Sequence, residues 1–234
     1  MPNLSTSTVL LSLIGGVLPA FIWLLFWLRE DKIRPEPKGR LAMTFFAGMV
    51  IVPVAAFFQH MSNTFLNNNI ISIFFVWAAI EEILKFGAAY IIALRNRVTN
   101  EPVDTLIYMM TAALGFTAFE NALFIFAPLS IGDFWLSLVT GNIRFIGASL
   151  LHTLCSAIIG ISLALSFYKS KESKLLHLLW GLVTAITLHT VFNLLIMNGQ
   201  NGMTFATFGF VWIAIVIVML FFEKVKRVYP VNTP

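Results

Sequence analysis

Seven long apolar runs, separated by short polar stretches, decide what this chain can fold into. They lie at about 8–28, 41–59, 70–94, 105–127, 143–167, 175–196 and 204–222. A helix that crosses a bilayer needs ~20 apolar residues, and each run supplies about that many. Seven such helices take up most of the 234 residues and leave only short loops. The expected fold class is therefore all-α: a polytopic helical membrane protein of about seven transmembrane helices, forming a single transmembrane domain over residues 1–234. Only 11% of the residues are charged, against about 25% in an average soluble domain. That share excludes a soluble globular domain, and the apolar content excludes a disordered chain. The basic residues form no single basic surface, so no nucleic-acid partner is expected. Cys155 is the one cysteine, which excludes an intrachain disulfide and a multi-thiolate metal site. The first run has no basic segment before it and a basic stretch after it, so it reads as a retained helix rather than a signal peptide. Residues 134–142 are too short to span and are expected in the interface.

The basic residues orient the bundle. Thirteen of the fifteen Lys and Arg fall in stretch 29–40, stretch 95–104, stretch 168–174 or the segment after 222. Seven alternating helices put all four on one side, while 60–69, 128–142 and 197–203 carry no Lys or Arg. The positive-inside rule then sets the N-terminus outside and the C-terminus in the cytoplasm. The flanking acids Glu30, Asp31, Glu36, Glu101, Asp104, Glu172 and Glu223 lie on the basic side, and Asp133 lies on the outer one.

What remains is a short set of ionisable groups inside the apolar runs: Glu81, Glu82 and Lys85, Glu120, His152 and His189. Such groups are costly at membrane depth and point to function by default. At ~1.5 Å rise per residue, Glu81 and Glu82 lie ~17 Å below the outer surface, His152 ~14 Å, and Glu120 and His189 ~10 Å. Four helices thus place their polar groups in one layer, from the midplane to the outer half. Lys85 shares a helix face with Glu81 at i, i+4 and with Glu82 at i, i+3. Ser149, His152 and Ser156 line one face, and His189 and Asn193 line another.

A carboxylate near an imidazole, away from bulk water, can deprotonate a trapped water. A second His with Asn can donate to the oxyanion formed as a carbonyl is attacked. This chemistry is water attack on an amide without a covalent intermediate. No GxSxG elbow is present, and Ser149, Ser156 and Cys155 read as small packing residues. Plainer alternatives stand beside it. Glu81, Glu82 and Lys85 can form a structural ion cluster, and His152 and His189 can make interhelical hydrogen bonds. Glu120 can be catalytic or can brace a histidine, and Asn193 can be an interface amide. His60 reads as a loop residue and His177 as a membrane-edge residue. Arg144 reads as an interfacial anchor, with substrate positioning as the alternative.

At these residues the chain resembles the PrsW family of intramembrane proteases. Glu81-Glu82-Ile-Leu-Lys85 resembles its EExxK motif, and Phe119-Glu120 the start of its FExxxY motif. His152, and then His189-Thr-Val-Phe-Asn193, resemble its last two motifs. The match covers about residues 70–196, the expected catalytic core; Phe124 stands where the motif carries Tyr. The wider superfamily holds CAAX-type and bacteriocin-processing membrane proteases and the Aph-1 scaffold. The resemblance implies hydrolysis of a peptide bond in a membrane-anchored, anti-sigma-factor-like protein, in the outer half of the bilayer. It implies Glu81 as base with Glu82 as its partner, His152 helping to activate water, and His189 and Asn193 as oxyanion donors. Lys85 and Glu120 would support them.

The expected enzyme is a glutamic-type peptide hydrolase that needs no metal. A Zn²⁺ ion is the alternative cofactor, with Glu81, His152 and His189 as its ligands. The competing functions are a proton- or cation-coupled transporter, in which the acids and histidines form a relay, and a non-catalytic helix-binding scaffold. The expected partners are a single-pass membrane protein substrate and the lipid bilayer. The expected location is the cell membrane, multi-pass, of a bacterium.

Overall fold

A computed structural model of the chain describes residues 5–29, 34–66, 69–198 and 203–229. Glu30, Asp31 and Lys32 of the first basic stretch lie outside the described residues. The described residues form eight α-helices and no strand: α1 (Thr6–Leu28), α2 (Lys38–Asn63), α3 (Ile70–Ala89), α4 (Pro102–Ser130), α5 (Phe134–Ile146), α6 (Ala148–Leu165), α7 (Lys171–Asn198) and α8 (Met203–Val225). A π-helical turn, Tyr90–Leu94, extends α3. Among the described residues, six helical stretches are long and apolar enough to cross a membrane, with α5 and α6 together making one of them. The 20-residue α3 stands apart because Glu81, Glu82 and Lys85 lie within it.

The ends of these helices follow from local chemistry. Asn69 caps α3, its Oδ1 accepting from the backbone N–H groups of Ile71 (3.1 Å) and Ser72 (3.2 Å). Pro102 opens α4, where a missing N–H costs nothing. Asp104 accepts from the backbone of Asn100 (2.7 Å) and Glu101 (2.9 Å) and so closes a capping box.

α4 is the centre of the bundle and packs against α1, α2, α5 and α6. It is buried along most of its length, as a helix surrounded by other helices must be. Small residues set the closest crossing. A Cβ at Gly115 of α4 would lie 1.9 Å from the Phe45 carbonyl oxygen, and one at Gly48 of α2 would lie 2.1 Å from that of Ala112. The two backbones touch through these glycines, the usual device for helix association in lipid. Gly115→Val is expected to push α2 off α4 and to cost about 1–3 kcal/mol or more by overpacking; a thermal midpoint in detergent equal to wild type would contradict this.

The end of the bundle that carries the basic residues is tied together. Arg40 donates to the Ile92 carbonyl at 2.9 Å. Buried Glu36 accepts from the Tyr108 hydroxyl, so this acid is an internal strut rather than a loop counter-ion. Arg34 faces Glu101 at 4.0 Å. The carboxyl of Glu101 is held above its ordinary range, first by partial burial and then by the neighbouring Asp104.

Three expectations change. Residues 134–142 are part of a helix that continues to Ile146, and the next helix starts at Ala148 rather than 143. The break falls at Gly147, whose Cβ would lie 2.3 Å from the Phe208 ring of α8; any larger residue there would have to push that ring aside. His60 lies in the last turn of α2 and not in a loop.

Candidate active site in the buried polar layer

α3, α4, α6 and α7 bring their intramembrane ionisable groups to one place. On α3, Glu82 and Lys85 are fully buried, and Lys85 Nζ donates to Glu82 Oε1 at 2.6 Å. The same Glu82 oxygen accepts from His189 Nδ1 of α7 at 2.8 Å. Lys85 Nζ also lies 3.0 Å from His152 Nδ1 of α6, and 5.1 Å from the Phe116 ring centroid. His152 Nε2 lies 3.1 Å from Glu120 Oε2 of α4. The two imidazoles meet edge to face, with centroids 5.0 Å apart.

Proton positions follow from what each partner can do. An ammonium has no lone pair, so His152 Nδ1 accepts from Lys85. Its Nε2 then bears the hydrogen and donates to Glu120. Glu82, already accepting from Lys85, accepts again from His189, so the His189 hydrogen sits on Nδ1 and its Nε2 carries the lone pair.

Glu81 differs from its neighbour. Its Oε1 accepts from Gln59 Nε2 of α2 at 2.8 Å. Its Oε2, like Glu82 Oε2, is buried without a hydrogen-bond partner, but it alone faces both imidazoles, His152 Nδ1 and His189 Nε2, each at 3.8 Å. An unpartnered carboxylate oxygen between two imidazoles is expensive unless a further group fills the gap. Glu81, Glu120, Arg144, His152, His189 and Asn193 line a cavity of about 310 Å³, walled by aromatic and aliphatic side chains. Asn193 lies one turn beyond His189 on the same face of α7.

Every expected site residue is thus in the layer: Glu81, Glu82, Lys85, Glu120, His152 and His189 contact one another, and Asn193 lines the cavity beside them. Three further residues belong to it. Gln59 is a lone amide at the end of an apolar run, a faint signal in a sequence. Asn121 donates to Ser149 Oγ at 3.0 Å. Arg144, expected as an interfacial anchor, turns inward and pairs with Glu120. It also donates from Nε to Asn121 Oδ1 at 2.6 Å and covers the ring of Phe124, 3.8 Å from its centroid. Phe124, where the resembled motif carries Tyr, supplies a ring face instead of a hydroxyl.

Glu81, His152 and His189 each offer a ligand atom within 4.8 Å of the others, as do Glu82, Cys155 and His189. The first set fits a divalent cation: it is the two-imidazole, one-carboxylate set of hydrolytic zinc sites, and its Glu81 oxygen is unpartnered. One of its nitrogens, His152 Nδ1, is held by Lys85. In the second set Glu82 Oε1 already bonds Lys85 and His189, which leaves only Glu82 Oε2 unpartnered.

Comparison with known proteins gives one consistent result. Residues 36–222 match the sequence model of a family described as PrsW family intramembrane metalloprotease. The Protease PrsW of Halalkalibacterium halodurans is 22% identical over 217 residues, covering 89% of this chain and 95% of that protein. The Protease PrsW of Geobacillus kaustophilus is 25% identical over 115 residues, 48% of this chain and 51% of that one. No solved structure matches.

Proposed function

This chain belongs to the PrsW family of intramembrane proteases, a multi-pass bacterial membrane protein by its apolar helices and its relatives, and we propose that it hydrolyses a peptide bond of a membrane-anchored protein by glutamate-activated water in this polar layer. The observation that carries the reading is the unpartnered Glu81 Oε2 facing the His189 lone pair at 3.8 Å. A water seated between these two acceptors donates one hydrogen to each and turns its lone pairs to the cavity. That is the orientation an attacking nucleophile needs.

The residues then divide the work. Glu81 takes the proton as the water oxygen bonds to the scissile carbon. The Asn193 amide donates to the developing oxyanion. As the carbon–nitrogen bond breaks, Glu81 returns the proton to the leaving nitrogen. Glu82 holds His189 by Nδ1 and so fixes its tautomer, as a carboxylate does for a catalytic imidazole. A His189 bound this way donates from Nε2 only when doubly protonated, so the oxyanion contact falls to Asn193. His152 closes the water position from the other side, with Lys85 and Glu120 holding its ring. Lys85 balances Glu82 in a dry site where an unpaired charge is expensive. If a zinc ion is held by Glu81, His152 and His189, it supplies Lewis-acid polarisation of the water or carbonyl.

The proposed substrate is an anti-sigma-factor-like single-pass protein approaching in the bilayer plane, and the proposed topology is seven spans with the N-terminus outside and the C-terminus in the cytoplasm. The cavity lies away from the basic end of the bundle, which supports cleavage in the outer half. The test is cleavage of a membrane-tethered peptide by purified protein in detergent, read by mass spectrometry. Cleavage that persists under a strong divalent chelator is the expected result. Loss under the chelator with recovery on zinc addition would assign the chemistry to a metal, and no product from folded protein would overturn the reading.

A further inference from the structure

Arg144 belongs to α5, a helix whose remaining surface is largely apolar and exposed, with Trp135 at 74% and Phe134 at 58%. A guanidinium on such a helix has an easy path to the headgroups. It instead lies inward with its side chain 15% exposed. It makes three contacts: the ion pair with Glu120, the 2.6 Å bond to Asn121 and the Phe124 ring face. A planar group fixed on its edge and its face is a built seat and not a chance of packing.

The seat acts on the polar layer through one atom. Glu120 Oε2 takes both the Arg144 guanidinium and His152 Nε2. While Arg144 holds that oxygen in place, the Nε2–H of His152, whose tautomer Lys85 sets from the other side, keeps its acceptor. Nδ1 accepts from Lys85, which bridges to Glu82. We infer that Arg144 is a positioning residue for the hydrolysis proposed above: it holds the ring of His152 in place through Glu120. No contact joins Arg144 to Glu81, so its effect passes through the two groups between them. The other charged or titratable groups facing His152 are Lys85 from α3, Glu81 from α3 and His189 from α7. None of these replaces a carboxylate acceptor at Nε2.

The inference rests on the hydrolysis reading only for its effect on rate. Its direct readout is the ¹⁵N spectrum of His152 in the full-length protein in micelles. Wild type is expected to show a protonated Nε2 and an unprotonated Nδ1. Arg144→Gln is expected to keep that tautomer but to loosen the Nε2–H hydrogen bond to Glu120, read as an upfield shift and faster exchange of that proton, and to lower kcat by about 10²-fold with KM unchanged, as a misplaced catalytic group does. Arg144→Lys should keep that hydrogen bond and recover part of the rate, and guanidinium ion should restore Arg144→Ala. Glu120→Leu, which removes the acceptor instead of its holder, should give the same spectral change, so the inference is still tested if Arg144→Gln does not fold. A folded Arg144→Gln or Glu120→Leu with the wild-type His152 spectrum overturns the inference. A changed spectrum in a protein that never cleaves leaves the positioning of His152 by Arg144 standing and sinks the hydrolysis reading.

Discussion

Glu81→Gln is expected to lower the cleavage rate of a membrane-tethered peptide by about 10³-fold, within the range a positioned general base supplies. The change keeps the size of the side chain and its place beside Gln59, so the bundle should keep its thermal midpoint. What is lost is the oxygen that takes the proton: an amide cannot accept it, and the water loses one of the two acceptors that orient it. The contrast with Glu82→Gln makes the prediction specific. Glu82 touches Lys85 and His189 and leaves the cavity to Glu81, so its loss should show in stability as well as rate. Equal activity of Glu81→Gln and wild type would remove Glu81 from the chemistry.

The second large effect concerns folding. Lys85→Met removes the ammonium from a fully buried ion pair and leaves Glu82 with only His189 as a partner. Breaking one side of such a pair costs about 3–5 kcal/mol, because the remaining charge stays buried and uncompensated. The double variant Glu82→Gln with Lys85→Met should regain much of that loss, since it removes the orphaned charge. Thermal or denaturant unfolding in a fixed detergent measures both. Additive losses in the double variant would mean that Lys85 stabilises the bundle through packing on Phe116 and not through Glu82.

These side chains stand out in the sequence for the same reason that they matter in the fold. A charge inside an apolar run has no solvent to face, so Glu81, Glu82, Lys85, Glu120, His152 and His189 are visible without a structure, and so is the layer they share. The all-helical fold is equally plain from the lengths of the runs. Less visible is what depends on partners. Gln59 is neutral, and one amide at the end of an apolar helix says nothing about what it bonds. Arg144 lies at the end of a run, where a long cation can turn toward water or toward the interior; Glu120 and Phe124, on another helix, decide that. The ring of Phe208 from α8 sits against the break at Gly147, a contact about sixty residues distant that no local pattern encodes. Glu36 reads as a loop acid because its partner Tyr108 lies deep in α4.

The alternative uses of a buried acid–histidine layer, a proton path or a docking groove, differ from hydrolysis in what crosses the membrane and what becomes of the bound chain. The most direct test is purified wild-type protein in sealed liposomes with a single-pass peptide substrate, followed at once for peptide cleavage and proton flux. Cleavage with turnover and no flux above protein-free vesicles is the expected result, with cleavage lost in Glu81→Gln. Flux without cleavage, or a stable uncleaved complex with the peptide, would contradict it.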